Sequence, residues 1–350
     1  MTVDAVRIAT ARQVLAQLGV TLADLEADDP QSQAAVPTVA EYLPSVRAAE
    51  GSGGRRTYGS YWQRMATEWG ERRLDEVRAS DIEALHREAI AIARPRRNGR
   101  DGRHAGEHVI AAARAFFNRA IADGLIPAGT SPAHRVSKPR RLPSPRRALL
   151  AEELEQINLV ARTSGNDAVL DALLLRLHTE TACRRGGALS LRLGDLNVTQ
   201  GAIYLREKGG TTRWQPITLD LADRLAEHAA VRGARWATDR LLRYRDGRAL
   251  TSRRYDHLWR RIGEQLPWAA VQGISTHWLR HTTLTWVERH FGYGVARAYA
   301  GHTDSHGAAT TTYIKADLPD VAAALAALTG QSHPLAERPP QRQDLLTAWS

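Results

Sequence analysis

The sequence predicts a mainly α-helical protein of two domains, the second of which is a mixed α+β domain with a small β-sheet. A chain of 350 residues is long enough for two domains that each bury a core of their own. Apolar residues recur at helical spacing along most of the chain, which predicts helices rather than strands. The exception is AIYLREKGGTTRWQPITL, residues 202–219, where two extended runs flank a Gly-Gly turn and predict a β-hairpin.

The N-terminal part begins with a short extension, residues 1–35, that has a modest helical pattern and then the acidic, polar stretch EADDPQSQ. An all-helical domain follows over residues 36–135. We expect a helix from Thr38, a glycine-rich break at GSGG and a second helix in TYGSYWQRMATEWG. A third helix is predicted to start at Ser80, where Glu83 completes a capping box.

The last helix of this domain, HVIAAARAFFNRAIADGL, is predicted to end at Gly124. The third and last helices each carry apolar residues at spacings that suit a buried face. These residues are Ile82, Leu85, Ile90, Ile92, Phe116, Phe117 and Ile121.

A basic, proline-rich linker is predicted at residues 136–147. Its sequence SKPRRLPSPRR holds three prolines and five basic residues, so we expect it to be extended and to form no core. Two interpretations stay open: a solvated hinge, or a basic strap that lies on phosphates. The second domain spans residues 148–332, where helices surround the hairpin, and a proline-rich tail occupies residues 333–350.

The charge of the chain predicts a polyanionic partner. Forty-eight Lys plus Arg against 38 Asp plus Glu give a net charge of +10 and a pI near 10.2, which favours nucleic acid first and an acidic membrane surface second. The single cysteine, Cys183, excludes an intramolecular disulfide and leaves too few thiolates for a structural zinc site. No stretch approaches the roughly 20 apolar residues of a membrane span, and the N-terminus lacks a signal core. We therefore expect a cytoplasmic protein without a membrane partner.

Three separated strings carry chemistry: TACRRGGALSLRLGDL at 181–196, STHWLRH at 275–281 and AGHTDSHGAATTTYIKADL at 300–318. Any one of these strings alone is weak evidence of function, because an arginine on a helix is usually solvated and a histidine often has only a packing role in the core. Together and in this order, with Lys208 of the hairpin between the first two, they closely resemble the tyrosine recombinase (phage integrase) family. The resemblance covers roughly residues 37–330.

The resemblance assigns residues box by box. The first box, T-G-x-R-x-G-E-x-x-x-L-x-x-x-D, is matched at Thr181, Arg184, Gly186, Leu191 and Asp195. The second, H-x-L-R-H, is matched at His277, Leu279, Arg280 and His281. The third, G-H followed by T-x-x-Y, is matched at Gly301, His302, Thr310 and Tyr313. The resemblance also implies the DNA breaking-rejoining fold, with a helical core-binding (SAM-like) domain before the catalytic domain.

These residue types suit cleavage of a phosphodiester by tyrosine. Arg184 and Arg280 would clamp the non-bridging oxygens, because guanidinium groups donate in pairs and keep their protons. Lys208 would protonate the leaving 5′-oxygen; in a chain whose only other lysines are Lys138 and Lys315, a lysine here suggests a role that arginine cannot fill. The resemblance makes Tyr313 the nucleophile.

The two histidines complete the predicted set. His277 would handle the proton of the nucleophile, and His302 would hydrogen-bond a non-bridging oxygen. His306 is a rival to His302 by proximity, but only His302 follows glycine as in the family's G-H pattern. His277 and His281 stand four apart as zinc ligands can, yet WLR lacks the Glu of H-E-x-x-H and no third ligand is evident. We expect no metal and no cofactor.

Two departures from the family's pattern stand out. Gly187 occupies a position where the family usually has Glu or Asp, so the hydrogen bond of that carboxylate must come from elsewhere or be missing. The interval from His302 to Tyr313 is about two residues longer than the commonest family spacing. These departures are the only encouragement for a non-catalytic DNA-binding protein that keeps the fold. A type IB topoisomerase is a further alternative, although the core-binding domain and the H-x-L-R-H string look like recombinases.

The resemblance implies double-stranded DNA as partner and a homotetramer on two synapsed DNA sites. Basic residues of the loop after the third helix and of the linker would neutralise phosphates without reading sequence. They are Arg94, Arg96, Arg97, Arg100, Arg103, Lys138, Arg140, Arg141, Arg146 and Arg147. Helices that carry Arg55, Arg56 and Tyr58, or Arg253, Arg254 and Tyr255, are candidates to enter a major groove, although for any single one of these residues a solvated helix face is the more ordinary interpretation.

Overall fold

The computed structural model of the protein describes residues 5–21, 36–93, 102–137, 146–207, 210–302 and 316–336. The chain divides into two compact units, Met1–Leu142 and Pro143–Ser350. The division falls inside the segment from which the sequence predicts a linker. The predicted class, mainly α with one small sheet, is confirmed.

The first unit is all-helical over its described residues. Its helices are α1 (Ala5–Leu18), α2 (Val39–Ala49), α3 (Ser52–Trp69), α4 (Ala79–Ala91), α5 (Arg103–Ala122) and the short α6 (Pro132–Arg135). One core joins α2 to α6, and its largest fully buried side chains include Trp62, Met65, Phe116 and Phe117. The indole N–H of Trp62 donates to the Ala112 carbonyl at 2.9 Å, so the one polar atom of that ring is satisfied.

The helix starts show where local signals compete. Thr38 caps α2, and Glu41 returns the hydrogen bond to the Thr38 backbone at 2.8 Å, as a capping box requires. The predicted cap at Ser80 is wrong, because α4 begins at Ala79 and the Asp81 carboxylate accepts from the Arg78 backbone N–H at 2.7 Å. Arg72 holds the same carboxylate at 2.9 Å, which favours the earlier start.

Two further predictions in this unit need correction. The GSGG break shrinks to Gly51, because α3 starts at Ser52 and takes the next two glycines into its first turn. On α4 the buried face consists of Ile82, Leu85 and Ala89, whereas Ile92 lies just after the helix and is 61% exposed.

The second unit surrounds a small antiparallel sheet with helices. The sheet has strand order β1-β2-β3, with β1 at Leu196–Asn197, β2 at Ala202–Arg206 and β3 at Thr212–Pro216. Its helices are α7 (Ala151–Thr163), α8 (Ala168–Thr181), α9 (Arg185–Ser190), α10 (Leu219–Val231), α11 (Ser252–Gln265), α12 (Pro267–Gln272), α13 (Thr276–Ala300) and α14 (Leu318–Thr329).

The predicted hairpin is present, with Leu205 opposite Arg213 in the β2–β3 register. Three features are not predicted from the sequence: β1, α12, and the interruption at Gly292, whose φ of 80° and ψ of 172° break α13 into two helical stretches. Gly292 adopts a backbone conformation that is strained for residues with a Cβ.

Helix α8 is the central helix of the second unit. Its apolar side is fully buried at Leu170, Leu174 and Leu177, and it packs against α7, α10, α13 and α14. The C-terminus of α8 therefore lies beside both stretches of α13.

Candidate active site

The turn that follows α8 is strained. Ala182 has φ +49°, and it is the sole described non-glycine residue with a positive φ. A left-handed conformation costs an alanine about 1–2 kcal/mol. The Ala182 backbone N–H donates to the His178 carbonyl at 3.0 Å, and its carbonyl accepts from Nη1 of Arg280. The strained turn thus supplies an acceptor for one predicted arginine.

Arg184 comes two residues later and is the N-cap residue of α9. Its backbone N–H donates to Oε1 of Glu207 at 2.6 Å, and its Nη1 donates to Oε2 of the same carboxylate at 2.9 Å. The side chain is 35% exposed. Arg184 is therefore anchored at one edge of its guanidinium and open at the other.

Arg280 lies near the start of α13 and is only 4% exposed. Its Nη2 donates to the Ala300 carbonyl at 2.9 Å, in addition to the bond that its Nη1 makes to Ala182. Burial, together with the charge of Arg184, lowers the pKa of Arg280 to about 10. The guanidinium is still charged at neutral pH.

His277 and His302 face the same space. Burial and the surrounding arginines lower the pKa of each imidazole below its ordinary value. Both histidines are therefore neutral at pH 7 and able to accept a proton. Nε2 of His302 lies 3.5 Å from Nη2 of Arg280, at the limit of a hydrogen bond. Because a guanidinium only donates, Nε2 is the acceptor, which leaves the proton of neutral His302 on Nδ1.

One open cavity of about 400 Å³ joins these side chains. It is lined by Arg184, His277, Arg280 and His302, with His281, Tyr293 and Arg297 among its other walls. Four of the six residues predicted as catalytic thus meet at one place. The other two, Lys208 and Tyr313, lie outside the described residues.

Glu207 lies at this site although no sequence pattern indicates it. Its side chain is fully buried and accepts from Arg184 and, at 2.8 Å, from Nη1 of Arg213; Nη1 of Arg280 is 4.0 Å away. Burial alone would raise the pKa of Glu207, but the Arg184 backbone N–H and the charge of Arg213 outweigh it, so the pKa lies below its ordinary value. The carboxylate is ionised at neutral pH.

Two glycines of the predicted boxes are explained by close approach. A Cβ on Gly187 would lie 3.1 Å from Cγ and 3.2 Å from Oε1 of Glu207. A Cβ on Gly301, which has φ +65°, would lie 2.3 Å from Nη1 of Arg213. Glycine at 301 is therefore required both by the backbone conformation and by the arginine that crosses beneath it.

Tyr293 is the described tyrosine on the cavity wall, and it is 54% exposed. Its hydroxyl accepts from Nη1 of Arg297 at 3.2 Å, and the Arg297 guanidinium lies 5.6 Å from the ring centroid. The neighbouring Tyr299 is fully buried, with its hydroxyl bonded to the Glu180 carbonyl. Tyr293 is thus a rival nucleophile by position that the sequence boxes do not indicate.

The predicted DNA-contacting residues are only partly described. Those outside the described residues are Arg94, Arg96, Arg97, Arg100, Lys138, Arg140 and Arg141. Arg103 is exposed at the first residue of α5. Arg146 is close enough to His277 for its charge to lower the pKa of that histidine. Arg147 pairs with Glu153 at 2.6 Å, so its charge is already partly compensated.

One prediction for DNA contact needs correction, namely that α11 enters a major groove with Arg253, Arg254 and Tyr255. Arg254 is buried and its Nε donates to Asp171 at 2.7 Å, and Tyr255 is 1% exposed beneath the helix. Their role is to tie α11 to α8, so only Arg253 of the three is available on the surface. In the first unit, Arg55 and Arg56 are exposed and Tyr58 is half-buried.

Within the described ranges, every helix is too short or too polar to span a lipid bilayer. Nor do the residues described there include a group of three or more His, Cys, Asp or Glu that could hold a metal ion.

Comparison with known proteins places the second unit. Residues 147–318 match the phage integrase family, whereas no curated protein sequence matches the chain. A lambda integrase tetramer bound to a Holliday junction is similar in structure, with a TM-score of 0.57 and 16% identity over 88% of this chain and 90% of that one. The Tn1549 transposon integrase in complex with transposon right end DNA gives 0.60 and 14% over 83% and 99%. The XerH site-specific recombinase bound to difH substrate gives 0.53 and 18% over 76% and 78%.

The fold and the cavity define the class of tyrosine recombinase catalytic domains. Through residues 147–318, the chain belongs to the phage integrase family. At identities this low, the solved structures establish a shared fold and nothing finer.

Proposed function

We propose that this protein is a site-specific recombinase that cleaves and rejoins double-stranded DNA through a 3′-phosphotyrosine at Tyr313. The observation that carries the proposal is the cavity in which Arg184, Arg280, His277 and His302 converge. Two guanidinium groups and two neutral imidazoles in one open cavity can bind a phosphodiester, whose two non-bridging oxygens gain charge in the transition state.

The arginines would bind the scissile phosphate. Arg184 keeps part of its guanidinium exposed to the cavity, and Arg280 is held rigidly by backbone carbonyls behind it. Donors that are fixed before the substrate arrives cost no reorganisation at the moment of reaction. A guanidinium of pKa about 10 or above also remains charged throughout the reaction at neutral pH.

The remaining groups would move protons. Neutral His277 can accept the phenolic proton of the nucleophile, and His302 can donate from Nδ1 to a non-bridging oxygen. Lys208 would protonate the leaving 5′-oxygen, because an ammonium is a better acid than a guanidinium. Attack by Tyr313 forms the bond to phosphorus as the bond to that oxygen breaks. A 5′-hydroxyl from another strand then reverses the step and releases Tyr313.

Double-stranded DNA is the proposed substrate, and a homotetramer on two synapsed sites is the proposed assembly. The net charge of +10 supports a DNA partner. Support also comes from the structural relatives, which were solved bound to a Holliday junction, transposon-end DNA and difH DNA. The helical unit before the catalytic domain would act as the core-binding domain. Integration, excision and resolution all use this chemistry.

The test is covalent capture of DNA. Lightly nicked genomic DNA from the source organism is incubated with the protein, and adducts that survive denaturation are isolated and sequenced to define a nicked duplex substrate. We expect an adduct from wild type, none from Tyr313→Phe and an undiminished adduct from the matched control Tyr293→Phe. Failure of wild type to form an adduct, or full adduct from Tyr313→Phe, contradicts the proposal.

A further inference from the structure

Gly187 lacks the carboxylate that the first box usually supplies, and the side chain of Glu207 lies beside this position. The position where a Cβ of residue 187 would stand is in contact with the Glu207 side chain, 3.1 Å from Cγ and 3.2 Å from Oε1. Gly187 lies in α9, whereas Glu207 directly follows the last residue of β2, 20 positions later in sequence. A larger residue at 187 would collide with the carboxylate where it now lies.

Glu207 is placed to organise the arginine cluster. Its Oε1 accepts from the backbone N–H of Arg184, and its Oε2 accepts from the side chains of Arg184 and Arg213 at 2.9 and 2.8 Å. The Arg213 guanidinium in turn lies against Gly301, the residue that directly precedes His302 in sequence. A single carboxylate thus touches the first arginine twice and supports, through Arg213, the turn that carries His302.

The electrostatics favour such a group. Burial and, after it, the charge of Arg184 lower the pKa of Arg280. Among the described residues, Glu207 is the carboxylate within 4.0 Å of Arg184, Arg213 and Arg280. It offsets part of their mutual repulsion before phosphate binds, when no substrate charge is present.

We propose that Glu207 is the positioning residue of this site and does the work of the carboxylate that Gly187 lacks. The carboxylate has moved from α9 to the hairpin, next to Lys208 in sequence. As a result, the same side chain fixes Arg184 and ties the end of β2 to the N-terminus of α9, so the phosphate clamp and the strand that leads to the general acid are held together. This inference rests on the proposed function.

The first variant is Glu207→Gln, which keeps the size and removes the charge. The amide nitrogen would face guanidinium donors, so Arg184 should lose its fixed orientation. We expect single-turnover cleavage of the captured duplex to fall about 100-fold, as misplacement of a catalytic group by about 1 Å does, while DNA affinity changes less than about threefold. The matched control is Asp167→Asn, a buried carboxylate paired with Arg232 at 2.6 Å outside the cavity, which should cleave like wild type.

Relocation of the carboxylate separates positioning from folding. Gly187→Glu alone should cleave poorly, because two carboxylates would compete for one space. Glu207→Ala should also cleave poorly. The double variant Glu207→Ala/Gly187→Glu places a carboxylate back beside Arg184 from the other element, and we expect it to recover at least about tenfold over Glu207→Ala. A merely structural role predicts additive losses.

The outcomes are distinguishable from failure of the proposed function, which would show as absence of an adduct from wild type. If wild type forms the adduct and Glu207→Gln cleaves at the wild-type rate, Glu207 is not the positioning residue. If the double variant melts at the wild-type temperature yet cleaves no faster than Glu207→Ala, the exchange of positions is wrong. The exchange of positions is supported if Gly187→Glu lowers the cleavage rate of the wild type but raises the cleavage rate of Glu207→Ala.

Discussion

Arg280 and Arg184 face one cavity but are held by different means. Backbone carbonyls of Ala182 and Ala300 fix Arg280 in a buried position, whereas the side chain of Glu207 fixes Arg184, which stays one-third exposed. Arg280 is therefore part of the core, whereas Arg184 is a partly exposed group held by a single carboxylate. Substitutions should therefore separate a cost in stability from a cost in catalysis.

The largest effect is expected for Arg280→Ala. Two buried carbonyls at helix ends would lose their donor, and each buried polar group left unsatisfied costs about 1–3 kcal/mol. We expect denaturant unfolding of the full chain to show a loss of roughly 2–4 kcal/mol, and cleavage to fall by at least about 10³-fold. Wild-type stability of this variant would show that Arg280 does not tie α13 to α8.

Arg184→Ala should lower the rate of cleavage with little loss of stability. The backbone N–H of residue 184 still reaches Glu207, and Arg213 still neutralises that carboxylate, so stability should change by less than about 1 kcal/mol, as for partly exposed ion pairs. Cleavage should fall roughly 10²- to 10³-fold, the range found when one transition-state donor is removed. A stability loss equal to that of Arg280→Ala would remove the distinction.

The smallest effect concerns His277, whose pKa is lowered by burial and then by Arg146, Arg280 and Arg184. A base with a lowered pKa stays neutral further into acid, so cleavage should hold as pH falls through 6.5 and decline only below that value. Arg146→Ala should raise the pKa of His277 and move this decline to higher pH, while Arg184→Ala should move it less. NMR titration of the imidazole measures both shifts, and an unchanged pKa in Arg146→Ala would contradict the account.

Sequence patterns predicted what depends on local periodicity. The helices, the hairpin and the meeting of Arg184, His277 and Arg280 followed from spacing and from the family resemblance. Glu207 could not be predicted as a partner of Arg184, because the two residues are 23 positions apart and only the folded chain brings them within hydrogen-bond distance. The one available signal was the missing carboxylate itself.

Burial limited the prediction elsewhere. Arg253 and Arg254 are indistinguishable by type, yet the turn of α11 exposes the first and buries the second against Asp171. Ser80 and Arg78 both precede an acid by three residues, and Arg72, which precedes the helix, favours Arg78 through its hydrogen bond to Asp81. In both cases a contact outside the local motif distinguishes between equal local signals.

The most direct test of the central claim is to identify the residue that is linked to DNA. The trapped adduct is digested with trypsin and nuclease, and the nucleotide-bearing peptide is fragmented by mass spectrometry. Residues 298–315 form one tryptic peptide with two tyrosines, so the fragments must separate Tyr299 from Tyr313. We predict the nucleotide on Tyr313. A nucleotide on the exposed cavity residue Tyr293, or on Tyr299, would contradict the account.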